Sequence, residues 1–476
     1  MALPDLIYAQ ASPLSISGQS MFEPWQRISA FNSVAFASAP NLISTAIARL
    51  RANGFEILQV TPQTINIAGP PDAFERAFRT KIVEKEFELP SGDTTTHLDS
   101  PDTQMLGLVS TTGTQLGDVL EGIALEVPRS YFQPLPVPPV VAYPHLRIPE
   151  DVAAGCNVST LHSLGINGAG VKVAMVDSGW FHHPYFDAQH YNVAPVVLGP
   201  GASEPDHDES GHGTGESANI FAIAPACEFH PVKANFVNTT GAFNAAVALG
   251  PQIITCSWGS HSPFALSAQD LVLSASIGAA VAAGITVIFS AGNGHAGFPG
   301  QHPDVISAGG VHLRPDGALE ASDYASGFDS LIFLGRRVPD VCGLVGMRPH
   351  AIYITLPVEP NDKIDAENSV GDFPMGDETG PDDGWALFSG TSAAAPQIAG
   401  AVALMKQVVP HMSPANVKAV LAATARDVVQ GMCSPVGQLH TGLPAAIGID
   451  GATGPGLVDV FNAVVAAYVG SLYSLW

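Results

Sequence analysis

The sequence predicts an α/β fold, a mostly parallel sheet flanked by helices, preceded by a small α+β module. Three observations carry this. From about residue 151, apolar runs of strand length alternate with helical segments, the pattern of a parallel sheet covered by helices. Between about 29 and 90 a tighter alternation of strand and helix patterns occurs. The extended stretch Pro134-Leu135-Pro136-Val137-Pro138-Pro139 lies between the two. A chain of 476 residues holds two or three domains. The expected division is a module at 1–90, a Pro-rich linker with a processing region at 91–150, and a main domain at 151–476.

In the module, Phe31–Ser38 reads as a strand. Asn41 can cap a helix through Asn53, with Leu42, Ile43, Ile47 and Leu50 at helical spacing and Gly54 as its stop. Phe55–Thr61 and Thr64–Ala68 form two strands across a Pro62-Gln63 turn. Pro70-Pro71 opens a second helix through Phe78, and Lys81–Leu89 is the last strand. The order β-α-β-β-α-β is that of the ferredoxin-like split βαβ fold. Within the linker, Thr103–Val127 is expected to add a short element or two.

In the main domain a helix near Val158–Leu164 precedes the buried-type strand Val171–Val176, which ends at Asp177. Ser217–Ile223 follows His212 as a helix. Phe229–Lys233, Ile253–Ser257 and Thr286–Ser290 read as buried strands, with helices at Ala242–Leu249 and Ala268–Ala283. The charge-free stretch Leu271–Ala291 is broken by Ser274, Ser276, Gly278 and Gly284, and reads as a buried helix followed by a buried strand. The apolar tail Val460–Trp476 has no flanking basic residue. Neither is expected to span a membrane.

The net charge of −24, from 19 Lys+Arg against 43 Asp+Glu, excludes the basic footprint that nucleic-acid binding needs and disfavours anionic membranes. Cys156, Cys227, Cys256, Cys342 and Cys433 are scattered, without C-x-x-C spacing, and suggest neither a zinc site nor a disulfide framework. Met1–Ser20 lacks a basic region and a sustained apolar core, so no signal peptide is expected. The default expectation is a cytoplasmic protein, with export by another route as the alternative.

Four segments carry chemistry. Asp177, in Val176-Asp177-Ser178-Gly179, sits at the mouth of a buried strand, where a carboxylate can accept the Nδ1 proton of a histidine. His212 lies between two glycines, in Gly211-His212-Gly213-Thr214, which leaves its ring accessible. Ser392, in Gly390-Thr391-Ser392-Ala393-Ala394-Ala395-Pro396, stands at a turn before a helix, where a hydroxyl is exposed and a substrate backbone can come close. Asn293, in Ser290-Ala291-Gly292-Asn293, offers an amide to an oxyanion.

With these motifs in the order Asp, His, Ser, the chain resembles the subtilisin-like serine proteases, the subtilases. The resemblance covers about 158–465 and includes the late segment Gly454–Val465. It implies a serine endopeptidase acting through an acyl-enzyme on polypeptide substrates, with Ser392 as nucleophile, His212 as base, Asp177 as its orienter and Asn293 in the oxyanion hole. It also implies that Ser257-Trp258-Gly259 pairs with the substrate backbone, and that Ala291 and Gly292 form part of the primary pocket. Subtilase prodomains commonly have a ferredoxin-like fold, so the module is expected to be an intramolecular inhibitor. Phe74-Glu75-Arg76-Ala77-Phe78-Arg79-Thr80 also looks like prodomains of the related sedolisins.

The chain departs from the pattern in two places. Many subtilases continue Gly-Thr-His after the histidine, whereas Gly215 and Glu216 stand here. Glu216 is expected to be a first-turn carboxylate favoured by the helix dipole, or else to perturb His212. The interval from Asn293 to Ser392 is longer than in compact subtilases, and residues 336–385 read as an acidic insertion containing Asp362, Asp365, Glu367, Asp372, Asp377, Glu378, Asp382 and Asp383. This stretch, and the cluster Glu204, Asp206, Asp208 and Glu209, are expected to be solvated acidic loops, with calcium or a substrate-gating lid as the sharper alternative. No redox or organic cofactor is implied. Two rival functions are a sedolisin-like acid peptidase, opposed by His212 and Asn293, and a pseudoprotease that binds peptides without cutting them.

Overall fold

A computed structural model describes residues 3–23, 27–88, 94–127, 130–131, 143–437 and 439–473. The Pro-rich run at 134–139 lies outside the described residues.

The N-terminal sheet runs in the order Glu56–Val60, Ile65–Gly69, Ile7–Pro13, Leu120–Leu125, Leu108–Ser110, with every neighbouring pair antiparallel. Helices Pro40–Ala52 and Pro71–Phe78 cover one face through Leu50, Phe74 and Phe78, packed on Ile7, Ile65, Ile67 and Ile123. Phe55 meets Phe74 edge-on at 4.8 Å. The expected β-α-β-β-α-β order holds, but its outer strands are different ones. Phe31–Ser38 is not a strand. It contains a 3₁₀ turn, Ser33–Phe36, with Phe31 99% and Val34 82% exposed, so its apolar residues are no core face. Ile7–Pro13 is the first strand instead. The last is Leu120–Leu125, while Val83–Glu88 pairs only with Thr94–Asp99 in a separate hairpin. The stretch expected to be linker from residue 91 therefore supplies core strands as far as Leu125.

The main sheet runs Val197–Leu198, Glu228–Lys233, Lys172–Asp177, Ile253–Cys256, Thr286–Ser290, Ile306–Leu313, all parallel. Leu319–Ala321 then adds antiparallel and Val341–Leu344 parallel to Ile306–Leu313. Both faces are buried. Val173 and Met175 point to the side of helices His212–Ile223 and Thr391–Val408; Ala174 and Val176 point to the side of Thr239–Ala248 and Ala268–Ala282. This two-sided burial is why the strands read as continuous apolar runs.

The charge-free stretch from Leu271 has a local cause. Helix Ala268–Ala282 is sandwiched: Leu273 and Ile277 face the main sheet, while Leu271, Val272 and Ala275 face Met21, Phe22, Phe36 and Ala124 of the N-terminal module. Beside it, Asn66 and Asn238 exchange side-chain amide hydrogen bonds at 2.7 and 3.0 Å. Among the described residues no helix is long and apolar enough to cross a membrane.

The stretch read as an insertion is not uniform. Val341–Leu344 is a buried strand of the main sheet, anchored by Asp340, whose carboxylate accepts from Arg336 at 2.5 and 2.6 Å, from Lys418 Nζ at 3.0 Å and from Ser307 N–H at 2.8 Å. A separate small substructure follows it. Ile354–Pro357 pairs antiparallel with Trp385–Phe388, and helix Lys363–Asn368 lies between. The acids there turn on their own backbone. Asp362 caps that helix through Asp365 N–H, Asp377 accepts from Thr379, and Asp383 accepts from Gly380 and Trp385 N–H.

Candidate active site

Two helices meet beneath the site. His212–Ile223 and Thr391–Val408 cross so closely that a Cβ on Gly400 would lie 2.6 Å from Ile223 Cβ. One helix begins at the histidine and the other one residue before the serine.

The strand end brings Asp177 to His212. Their Oδ1 and Nδ1 are 2.7 Å apart, both side chains are fully buried, and Ser178 N–H donates to the same oxygen at 2.8 Å. Gly213 makes this approach possible, since a Cβ there would come within 2.3 Å of Gly179 O and 3.1 Å of Asp177 Cβ. The helix start is held by Asp208, which accepts from Thr214 N–H at 2.8 Å and Thr214 Oγ1 at 2.7 Å. Asp208 is thus no free surface acid of its cluster but the brace of the histidine helix.

Ser392 is tied to Ser257. Ser257 Oγ donates to Ser392 O at 2.9 Å, and Ser392 Oγ donates to Ser257 O at 3.3 Å. Asn293 is held by the residue before the serine. Its Oδ1 accepts from Thr391 N–H and Thr391 Oγ1, both at 3.1 Å. With the oxygen engaged, Asn293 Nδ2 is buried without a hydrogen-bond partner among the described residues. Gly292 N–H donates to Thr391 Oγ1 at 3.1 Å, so the 291–293 turn and the serine turn are stitched together.

The expected substrate-binding residues divide by atom. Trp258 is a core side chain, its Nε1 donating to Val176 O at 2.8 Å and its ring edge-on to Phe289 at 5.1 Å. Ala291 packs with Ala296, Phe328, Val338 and Val436. These two residues can offer a substrate their backbone, not their side chains. The strand Trp258–His261 does present a backbone edge. It pairs on one side with Gly297–Phe298 and on the other with Ser130–Tyr131, both antiparallel.

The sequence places Glu216 in a helix first turn, but the helix begins at His212, so Glu216 stands one turn further in, and it lies deep. Every residue of His212–Ile223 is buried, and Glu216 Oε1 is 3.9 Å from His212 Nε2. Burial pushes the Glu216 carboxyl up, His212 opposes and Asp177 adds, to about 8. Burial pulls His212 down, but Asp177, Glu216 and Asp208 outweigh it and push the imidazole up to about 9. Phe388 stacks over the ring at 6.3 Å, a neighbour the sequence did not announce.

A possible metal set, Glu204, His207 and Glu209, lies in the acidic cluster before His212. Lys233 Nζ already sits among its groups. It donates to Glu204 O at 3.0 Å, His207 O at 2.9 Å and Glu209 Oε1 at 2.8 Å. The ammonium thus meets one of the three side chains, the Glu209 carboxylate, and otherwise the backbone of the loop, while the His207 ring pairs with Glu359 Oε1 at 2.6 Å.

A model of the subtilase family, peptidase S8, matches residues 168–438, more than half of the chain. The chain belongs to the subtilase family. That places it among the serine endopeptidases. Subtilisin Savinase of Lederbergia lenta is 26% identical over 286 residues, 56% of this subtilase and 87% of that protein. Alkaline elastase YaB of Bacillus sp. (strain YaB) is 25% identical over 338 residues, 65% of this chain and 76% of the relative. Among solved structures, fervidolysin from Fervidobacterium pennivorans, a keratinolytic enzyme related to subtilisin, superposes with a TM-score of 0.59 at 15% identity. That match covers 98% of this chain and 62% of fervidolysin, so this chain spans a little under two thirds of fervidolysin's length. At that identity the likeness concerns the fold.

Proposed function

We propose that this subtilase cuts polypeptides through an acyl-enzyme on Ser392. The observation that carries the reading is the buried 2.7 Å contact of Asp177 with His212 Nδ1, which leaves Nε2 as the atom to take a proton. Ser392 Oγ turns from Ser257 O, gives its proton to Nε2 and attacks the scissile carbonyl. Asn293 Nδ2 and Ser392 N–H stabilise the resulting oxyanion. The imidazolium then protonates the leaving amine, and water, activated by the same ring, releases the acyl group. The acid-peptidase and pseudoprotease alternatives are not favoured, given the family match and the Asp177–His212 pair. A fluorophosphonate probe tests the reading. Wild-type protein is expected to be labelled, with labelling lost in Ser392→Ala and His212→Ala. No labelling of active-site serine in processed wild-type protein would overturn it.

We further propose that residues up to about 131 form an inhibitory prodomain. The support is the pairing of Ser130–Tyr131 on the edge of Trp258–His261, in the register Tyr131 with Trp258 and Ser130 with Gly259. A substrate peptide adding a strand would use this same edge. Tethering raises the inhibitor's local concentration. Tyr131 faces the residue next to Ser257, so the cut is expected within the few residues that follow Tyr131 in the chain. Wild-type protein should convert from 49.3 kDa to roughly 35 kDa while Ser392→Ala stays full length. A full-length chain that is fully active, and a separate module that does not inhibit in trans, would make this an accessory domain.

A further inference from the structure

The imidazole of His212 lies between two carboxyls. Asp177 holds Nδ1 at 2.7 Å, and Glu216 Oε1 stands 3.9 Å from Nε2, on the side where the base must work. Both carboxyls are fully buried. Glu216 Oε1 has no hydrogen-bond partner among the described residues. Its other oxygen accepts from Asn219 Nδ2 at 3.0 Å, Asn219 Oδ1 accepts from Gln397 Nε2 at 3.0 Å, and Gln397 Oε1 accepts from Leu344 N–H at 2.7 Å. Gln397 belongs to the serine helix. Glu216 is therefore clamped in place by a polar chain that joins the two helices of the site, with one oxygen left facing the imidazole.

A buried, oriented carboxyl with an unused oxygen costs stability unless something compensates it. The compensating group within reach is the imidazolium. We propose that Glu216 is a positioning residue that holds His212 as the imidazolium and so sets the pH at which Nε2 becomes available as a base. This rests on the assignment of His212 as the base. Among the described residues, the charged and titratable groups around the ring are Asp177 from the strand end, Asp208 from the loop before the helix and Glu216 from the next turn, while Asp362 lies farther out against Gly211. The serine helix presents only the uncharged Gln397 to this network. These described neighbours are acids, and each of Asp177, Glu216 and Asp208 favours the protonated ring. Glu216 alone among them stands at Nε2. The direction of the His212 shift agrees, since its imidazole is pushed up in part by Glu216; burial pushes the Glu216 carboxyl up, and His212 opposes that rise.

Two measurements test this. In the pH dependence of kcat/KM on a small chromogenic peptide, Glu216→Gln keeps an acceptor for Asn219 and removes the charge. Its rising limb is expected at least about one pH unit below that of the wild type, a tenfold advantage on the acid side. An unmoved limb in an active Glu216→Gln enzyme would overturn the proposal. The second readout needs neither activity nor a Glu216 variant. In ¹⁵N-histidine-labelled Ser392→Ala protein, the His212 nitrogens are expected to titrate above pH 7.5, and a midpoint at or below 6.5 would overturn the proposal. A high midpoint in a protein whose wild type shows no turnover or labelling would sink the assignment of His212 as base while leaving its coupling to Glu216 standing.

Discussion

Ser257 and Ser392 hydrogen-bond to each other in both directions, side chain to carbonyl, at 2.9 and 3.3 Å. Ser257 immediately precedes the strand on which Ser130–Tyr131 is paired. The edge that holds a peptide and the hydroxyl that would attack it are therefore locked in one register. Ser257→Ala removes one of the two bonds. It should lower kcat by roughly fivefold, from about 1 kcal/mol of lost positioning, with a smaller change in KM. Steady-state kinetics on one peptide check this; an effect on KM alone would mean that the bond serves binding only.

Asn293 should matter in the transition state. Its oxygen is committed to Thr391, so its Nδ2 is already oriented before a substrate arrives. Asn293→Ala is expected to lower kcat roughly 10²–10³-fold with KM nearly unchanged. Single-turnover rates on an activated ester provide the check, and an unchanged acylation rate would remove the amide from the oxyanion hole.

Gly211 has φ +78° and its missing Cβ would lie 1.8 Å from Asp362 Oδ2. Gly211→Ala should cost about 1–3 kcal/mol from the left-handed backbone alone, and more from the clash. Thermal melts of Gly211→Ala, Asp362→Ala and the double variant separate the two parts, the Asp362→Ala melt giving the cost of the lost helix cap. On the Asp362→Ala background, Gly211→Ala is expected to cost less than in the wild type, keeping only the backbone part. Equal costs on the two backgrounds would show that Asp362 moves aside freely.

Asp340 anchors a sheet strand through Arg336 and Lys418. Burial pushes its carboxyl up, but the two cations outweigh this and hold it below the usual range. A depressed carboxyl contributes stability above its unfolded value near 3.9 and loses it as pH falls through the folded value. Asp340→Ala should therefore destabilise by about 3 kcal/mol at neutral pH, because the buried Arg336 and the part-buried Lys418 lose their shared partner. The penalty should shrink below about pH 4. Denaturant melts at pH 7 and pH 3 test both parts; a penalty that stays constant with pH would argue for packing rather than charge.

Much of this was legible in the chain. Strands buried on both faces announce themselves as apolar runs, as at Val173–Val176, and the glycines beside His212 and before Ser392 mark places where backbones must come close. Other features left no such trace. Leu120–Leu125 is a central strand, but Glu121 and Gly122 interrupt its apolar pattern. Val341–Leu344 is core yet sits at the head of an acid-rich stretch, so its composition was averaged away. Glu216 misled for a subtler reason. An acid near a helix start normally marks a dipole-facing surface, but this helix begins a turn earlier, at His212, and the second helix and Phe388 pack against it, so it has no surface there.

Lys233 leaves one more consequence. Its ammonium ties the backbone carbonyls of Glu204 and His207 to the Glu209 carboxylate just upstream of the histidine helix. A dissolved ion binds such a loop by mass action, so the loop's order follows the composition of the medium. A side chain supplies its charge at one per molecule, at a concentration no chelator or dilution can alter. The segment that leads into His212 thus carries part of its counter-charge, at Glu209, in its own covalent structure.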